Sequence, residues 1–253
     1  MTKIEWTDKS WNPITGCTPI SPGCKNCYAE RMSKRLAGRA GYPEAPDNFK
    51  VTLHPDKLNE PLKWKKGRMV FVCSMGDLFH EDVPESMIID VFRVARNCEQ
   101  HTFQILTKRP ERMYRFLTEK CGKGQFSYPF AGLPNIWLGV TCEDQKRADE
   151  RIPLLLKTPA AVRFVSAEPL LEPIDFGIDI GEGVGKLAID RLDWIIVGAE
   201  TGQGKRYMNP EWAEDILNQC DDVKVPFFFK KDSEGRGDLN GLEYHKYPDW
   251  RLK

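Results

Sequence analysis

The 253-residue chain carries no excess of either charge: 37 lysines and arginines balance 37 aspartates and glutamates, with only 4 histidines beside them. That balance removes the global positive field of proteins that bind nucleic acid or anionic membranes non-specifically. A local run such as Lys63, Lys65, Lys66 and Arg68 reads as a solvated face. No apolar stretch approaches the roughly 20 residues a spanning helix needs, and MTKIEWTDKSW lacks the apolar core of a signal peptide. A cytoplasmic protein with no membrane partner is therefore expected. Low-complexity tracts and strong internal repeats are missing as well. At this length α/β barrels commonly fold as one unit, so residues 1–253 read as a single domain.

Periodicity supplies the fold. Short apolar runs suited to strands fall at 4–6, 69–74, 103–107, 136–141, 162–166, 194–198 and 226–230, and helical segments lie near 28–36, 84–97, 111–119, 143–156 and 210–219. Asn209 followed by Pro210 marks the start of the last helix, since Asn caps and Pro tolerates the first turn. Such alternation implies parallel strands with right-handed crossovers. No Rossmann fingerprint follows the first strand. A partial (β/α)6-7 barrel of the TIM type is therefore favoured over an open doubly wound parallel sheet. The stretches near 121–134 and 177–191 break the repeat and read as inserted loops.

In a barrel, the loops after the strands build the site. The strand ends here carry Ser74, Met75, Gly76 and Asp77; Thr107, Lys108 and Arg109; Thr141, Cys142 and Glu143; Ser166 and Glu168; Gly198, Ala199, Glu200 and Thr201; and Lys230 with Lys231. Each residue type also serves strand-to-helix turns as a cap, but six clusters would share one rim. Two glycine-rich stretches, 181–185 and 201–205, look phosphate-binding at a glance; neither completes the P-loop pattern. Trp6 and Trp11 flank the cysteine loop and read as packing residues.

Of the 8 cysteines, five (Cys73, Cys98, Cys121, Cys142 and Cys220) are scattered in apolar or helical contexts and read as reduced, buried thiols. Cys17, Cys24 and Cys27 stand apart as C-x6-C-x2-C in GCTPISPGCKNCYAERM. Structural zinc wants four ligands, usually as two close pairs, and no histidine or further cysteine completes the set at ligand spacing. Three thiolates on one loop suit a [4Fe–4S] cluster with one iron left open, and such clusters supply single electrons.

This cysteine loop after the first strand of a (β/α) barrel resembles the radical S-adenosylmethionine (SAM) enzymes. The segments IEWTDKSWNPITGC, CKNCYAERM, SMGDLF, LTKRPERM, WLGVTCE, FVSAEPLL, WIIVGAETG and FFFKK also resemble a phage- and prophage-encoded family of uncharacterised three-cysteine proteins, across nearly the whole chain. The first resemblance implies that Cys17, Cys24 and Cys27 ligate the cluster and that reductive cleavage of SAM yields a 5′-deoxyadenosyl radical. It places Met75, Gly76 and Asp77 at the SAM amino group. Thr141, Glu143, Ser166 and Glu168 fall among the ribose and carboxylate contacts, and Gly198, Ala199 and Glu200 beside adenine. The commonest spacing in that superfamily has three residues between the first two cysteines and an aromatic before the third; here the gap is six, Asn26 takes the aromatic's place, and Tyr28 follows one step later as the adenine-side residue.

The resemblance implies a flavodoxin- or ferredoxin-type electron donor. Asp77, Glu168 and Glu200 would position SAM and substrate. Read from the residues themselves, Lys108, Arg109, Lys230 and Lys231 at the rim would either meet an anionic substrate or be solvated or salt-bridged. The absence of an appended substrate domain leaves room for a large substrate, with a nucleobase in DNA or RNA the first to test, or for a partner protein. The competing reading is a non-catalytic Fe–S or zinc-stapled module that binds protein or nucleic acid.

Overall fold

The structure is a computed structural model that describes residues 4–120, 130, 132–179 and 187–249. In chain order its elements are β1 (Lys9–Trp11), β2 (Ile14–Thr15), α1 (Tyr28–Leu36), β3 (Thr52–Leu53), α2 (Pro55–Leu58), β4 (Met69–Val72), α3 (Glu85–Arg96), β5 (Thr102–Thr107), α4 (Pro110–Arg115), β6 (Ile136–Thr141), α5 (Gln145–Lys157), β7 (Val162–Ala167), β8 (Trp194–Val197), α6 (Pro210–Val223) and β9 (Phe227–Phe229). β2 and β3 form a small antiparallel pair outside the main sheet.

The other seven strands pair in parallel in the order β1-β4-β5-β6-β7-β8-β9. Because that order follows the chain without reversal, there is no switch point of the kind that defines a doubly wound sheet. The sheet curls into a half-barrel with β1 and β9 as its outer strands, and the 244–246 segment bridges antiparallel to the outer edge of β9 at Phe228–His245. All the strand C-termini therefore share one rim.

Alternation along the strands divides the core. One face, with Val70, Val72, Phe103, Ile105, Leu138, Val140, Val165 and Ile195, packs under α3, α5 and α6. The concave face gathers Trp137, Phe164, Trp194, Ile196 and Phe228 around Trp6. Trp6 stands 4.7 Å from Phe71 and 6.1 Å from Trp194, ring centre to ring centre. This explains a difference from the sequence expectation. Residues 4–6 do not form the first strand, because Trp6 is spent plugging the concave face, and the strand instead begins at Lys9 and buries Trp11 on the helix side. Both tryptophans are packing residues.

Other boundaries move for local reasons. The expected helix over 143–156 starts at Gln145, since the Asp144 carboxylate caps it by accepting from the Arg147 N–H at 2.8 Å. Glu143 is thereby left at the strand end. The helix expected over 111–119 is α4 followed by a π turn at Phe116–Lys120. Asn209 and Pro210 open α6 as read from the sequence. Most of the insert near 121–134, the middle of that near 177–191, Cys121 and the glycine-rich 181–185 lie outside the described residues. Among the described residues no helix is long and apolar enough to cross a membrane.

Candidate active site at the strand C-termini

The cysteine loop leaves the β2 end at Gly16, whose φ of +86° and close approach to the Lys50 carbonyl admit no side chain; a Cβ there would stand 2.1 Å from that oxygen. Gly16 donates to the Met75 carbonyl at 2.9 Å and bridges to Gly76, so the loop starts flush against the β4 rim. Cys17, Cys24 and Cys27 are all half-buried. Cys24 closes the short 3-10 turn Pro22–Cys24, and Cys27 is the residue before α1.

Three buried carboxylates from different strand ends hold this loop. Asp77, after β4, accepts from Phe79 N–H at 2.9 Å, the Thr107 hydroxyl at 2.7 Å, Lys108 N–H at 3.1 Å and Arg109 Nη1 at 3.2 Å. Its lone pairs are committed, and it reaches the loop through Arg109. That guanidinium donates to both Glu81 oxygens at 3.0 Å, to the Thr18 carbonyl at 3.2 Å and hydroxyl at 3.1 Å, and to Cys17 Sγ at 3.4 Å. His80 adds another tie. Its Nδ1 accepts from Asp82 N–H, so Nε2 carries the proton and donates to the Thr18 hydroxyl at 2.8 Å. Burial, with Arg109 beside it, holds the His80 pKa below its usual value.

Glu143, after β6, is wholly buried; it accepts from Gly23 N–H at 3.1 Å and from Arg151 Nη1 at 2.9 Å. Burial pushes its carboxyl up, but Arg151 and Lys108 outweigh that and leave it below the usual range. Gly23 lets the backbone approach closely here, since a Cβ would sit 3.0–3.3 Å from the Glu143 side chain and push it back. Glu200, after β8, accepts from Asn26 Nδ2 at 2.8 Å and from Arg206 through its N–H, Nε and Nη2. Against a burial cost, these bonds from Arg206 and Asn26 bring its carboxyl down to about 2. Arg206 also donates to the Pro22 carbonyl at 3.0 Å, and Arg31 of α1 to the Thr201 carbonyl at 2.7 Å. A hydrogen bond to a charged group contributes about 1.5–3 kcal/mol, so the loop is fixed at residues 17–18, 22–23 and 26 by the barrel's own side chains.

Beside the loop, on the concave face, opens a cavity of about 980 Å³. Trp6, Phe71 and Leu106 line its apolar part, and Ser10, Asn12, Ser74, Lys108, Thr141, Ser166, Glu168 and Lys230 its polar part, with Tyr28 and Met75 on the cysteine side. Lys230 forms an ion pair with Glu168. Burial disfavours the ammonium, yet Glu168 overcomes this and raises the Lys230 pKa. Met75 packs with Ala29 and Tyr42, against which Cys27 also rests.

A family model for proteins of unknown function, DUF5131, matches residues 1–239, which include the cysteine loop and every strand of the sheet. The chain belongs to that family. No curated protein and no solved structure matches this DUF5131 chain.

The residues singled out from the DUF5131 sequence thus divide into three groups. Tyr28, Met75, Lys108, Thr141, Ser166, Glu168 and Lys230 meet around the cavity. Glu143 and Glu200 bond the cysteine loop instead, and Asp77 reaches it through Arg109. Gly76, Gly198 and Ala199 serve through backbone, Gly198 donating to the Ala167 carbonyl and Ala199 to that of Lys231. Reading strand ends alone overlooked Arg151, Arg206, Thr18 and His80, and left Arg109 open between meeting a substrate and a salt-bridged role. The one available signal was the acidic residue after each of β4, β6, β7 and β8, which called for a buried cation.

The Cys17 thiol alone is a protonated group at neutral pH. Burial and Asp77 push Cys17 up to about 11, with Arg109 opposing. Among the described residues no three Cys, His, Asp or Glu side chains converge as a single metal ion requires. A cubane cluster makes a different demand, because each thiolate binds its own iron. Three thiols on a loop that is fixed elsewhere, with an N–H donor aimed at one sulfur, are a donor set of the right chemistry for it.

Proposed function

We propose that this protein is a radical SAM-type iron–sulfur enzyme, with Cys17, Cys24 and Cys27 as ligands of a [4Fe–4S] cluster and the adjoining cavity as the chamber for SAM and substrate. The observation that carries this reading is the loop's support: the segment that bears the three cysteines is held at Cys17 by Arg109 with Asp77 behind it, at Gly23 by Glu143 and at Asn26 by Glu200, beside a cavity lined by strand-end polar groups. A folding staple must itself supply the order of the segment it closes; this segment is ordered by the barrel. Bound there, the cluster supplies one electron for cleavage of the SAM sulfonium bond, received from a flavodoxin- or ferredoxin-type donor.

The chain's own residues divide the remaining work. Tyr28 and Met75 give the cysteine side of the cavity an apolar surface, which suits a planar base. Thr141, Ser166 and Ser74 present hydroxyls to ribose or carboxylate oxygens. Lys108 presents a cation, and the Glu168–Lys230 pair holds an acceptor and a donor side by side. The aromatic floor of Trp6 and Phe71 keeps water from the inner end.

The test is anaerobic incubation of reconstituted protein with dithionite and SAM, followed by chromatography for 5′-deoxyadenosine. Release of the nucleoside that is abolished by Cys24→Ala is expected. A fully reconstituted protein that releases none would remove the radical SAM assignment.

A further inference from the structure

Arg109 is the residue whose geometry exceeds what a structural ion pair requires. An arginine paired with Asp77 alone needs one edge of its guanidinium. Here Nε serves Glu81, Nη2 serves Thr18 twice, and Nη1 divides between Asp77 and Cys17 Sγ. The side chain is nearly sealed from water, and Asp77 behind it is equally buried. A planar fork held on every edge cannot rotate away from the sulfur, so its N–H stays directed at Cys17.

We infer that Arg109 is a positioning residue of the three-cysteine site, which fixes Cys17 for ligation and, through its N–H donated to that sulfur, raises the reduction potential of the cluster. This rests on the proposed iron–sulfur reading. The physical basis is that a reduced cluster carries one more negative charge than the oxidised form, so a cationic donor at a ligating sulfur stabilises the reduced state more. Asp77 and Glu81 temper the guanidinium's charge, but the directed N–H remains. Lysine at this position would keep the cation and lose the fork, because one ammonium cannot reach Asp77, Glu81, Thr18 and Cys17 together.

The experiment compares the full-length holoprotein with Arg109→Lys and Arg109→Gln. Arg115→Gln is the control, which removes an exposed charge from α4, the helix that Arg109 precedes. Iron and acid-labile sulfide are counted after anaerobic reconstitution, and the midpoint potential is measured by redox titration followed by electron paramagnetic resonance. Arg109→Gln is expected to hold less iron and to titrate at a more negative potential than wild type. Arg109→Lys should shift the same way by less, and Arg115→Gln should match wild type in both measurements. If Arg109→Gln does not fold, the Arg109→Lys comparison decides. Unchanged iron content and potential in the Arg109 variants, with a cluster present in wild type, would overturn the inference and leave the cluster reading standing. A wild-type protein that takes up no iron–sulfur cluster would overturn both.

Discussion

Replacing Glu143 with alanine removes a carboxylate of zero exposure from between Gly23 N–H and the Arg151 guanidinium, whose own side chain is 6% exposed. Arg151 keeps its bond to the Thr141 carbonyl but loses its counter-ion inside the protein. Breaking one side of such a buried pair costs about 3–5 kcal/mol, mostly the penalty of the stranded charge. For a chain of this size each kcal/mol moves the melting temperature by about 2–4 °C, so a drop of about 10 °C is expected in metal-free protein at neutral pH, followed by circular dichroism. The same substitution frees Gly23, and trypsin should cut faster after the exposed Lys25 two residues on. Glu143→Ala combined with Arg151→Met should recover much of the melting temperature while tryptic cleavage stays fast. The pH dependence has a definite sign. The folded carboxyl lies below its ordinary 4.5, so its contribution is present above that value and is lost as pH falls through the folded pKa. Wild type and variant should therefore converge in stability as pH falls below the ordinary 4.5 and through the folded pKa. A melting temperature within about 2 °C of wild type, with unchanged tryptic cleavage, would refute Glu143 as an anchor of the cysteine loop.

Glu168→Leu and Lys230→Met should each destabilise by about 2–3 kcal/mol, less than a sealed pair because both side chains keep some contact with water; the double variant should lie nearer wild type than either, as read from urea midpoints. Gly16→Ala forces a Cβ against the Lys50 carbonyl at a left-handed backbone position, and a loss of about 3 kcal/mol is expected from strain and overpacking together. Glu200→Gln should flatten the acid limb of stability. The wild-type contribution, present above the ordinary 4.5, is lost as pH falls toward about 2, and urea midpoints at two acidic pH values will show whether the variant lacks that slope.

Much of this arrangement is legible in the chain because it is local. The C-x6-C-x2-C spacing, the β-rich runs from residue 69 onward and the Asn209–Pro210 helix start each lie within a few residues. The cavity-facing Thr141, Ser166 and Lys230 follow from alternation once a barrel is assumed, since they continue the concave face to the ends of β6 and β7 and one residue past β9. What was hidden depends on distance along the chain. Glu143 and Gly23 are 120 residues apart, and Glu200 and Asn26 are 174 apart. Nothing local to a glutamate at a strand end says whether it will face a ligand or brace a loop. The first strand was misplaced for a related reason: Ile4–Trp6 has the apolar character of a strand, and only the aromatic ring of Phe71, Phe164 and Trp194 around Trp6 shows that its side chain is used as a plug.

The central claim is that the barrel presents three cysteines for a cluster and is not itself folded by the metal. Its most direct test is metal content and folding measured together, on wild type and on a variant with Cys17, Cys24 and Cys27 all changed to alanine, purified without oxygen. The account predicts about four iron and four sulfide per wild-type chain and none in the variant, with metal-free wild type and variant melting cooperatively at nearly the same temperature. A colourless wild-type protein with one zinc per chain, and a variant that fails to fold, would contradict it.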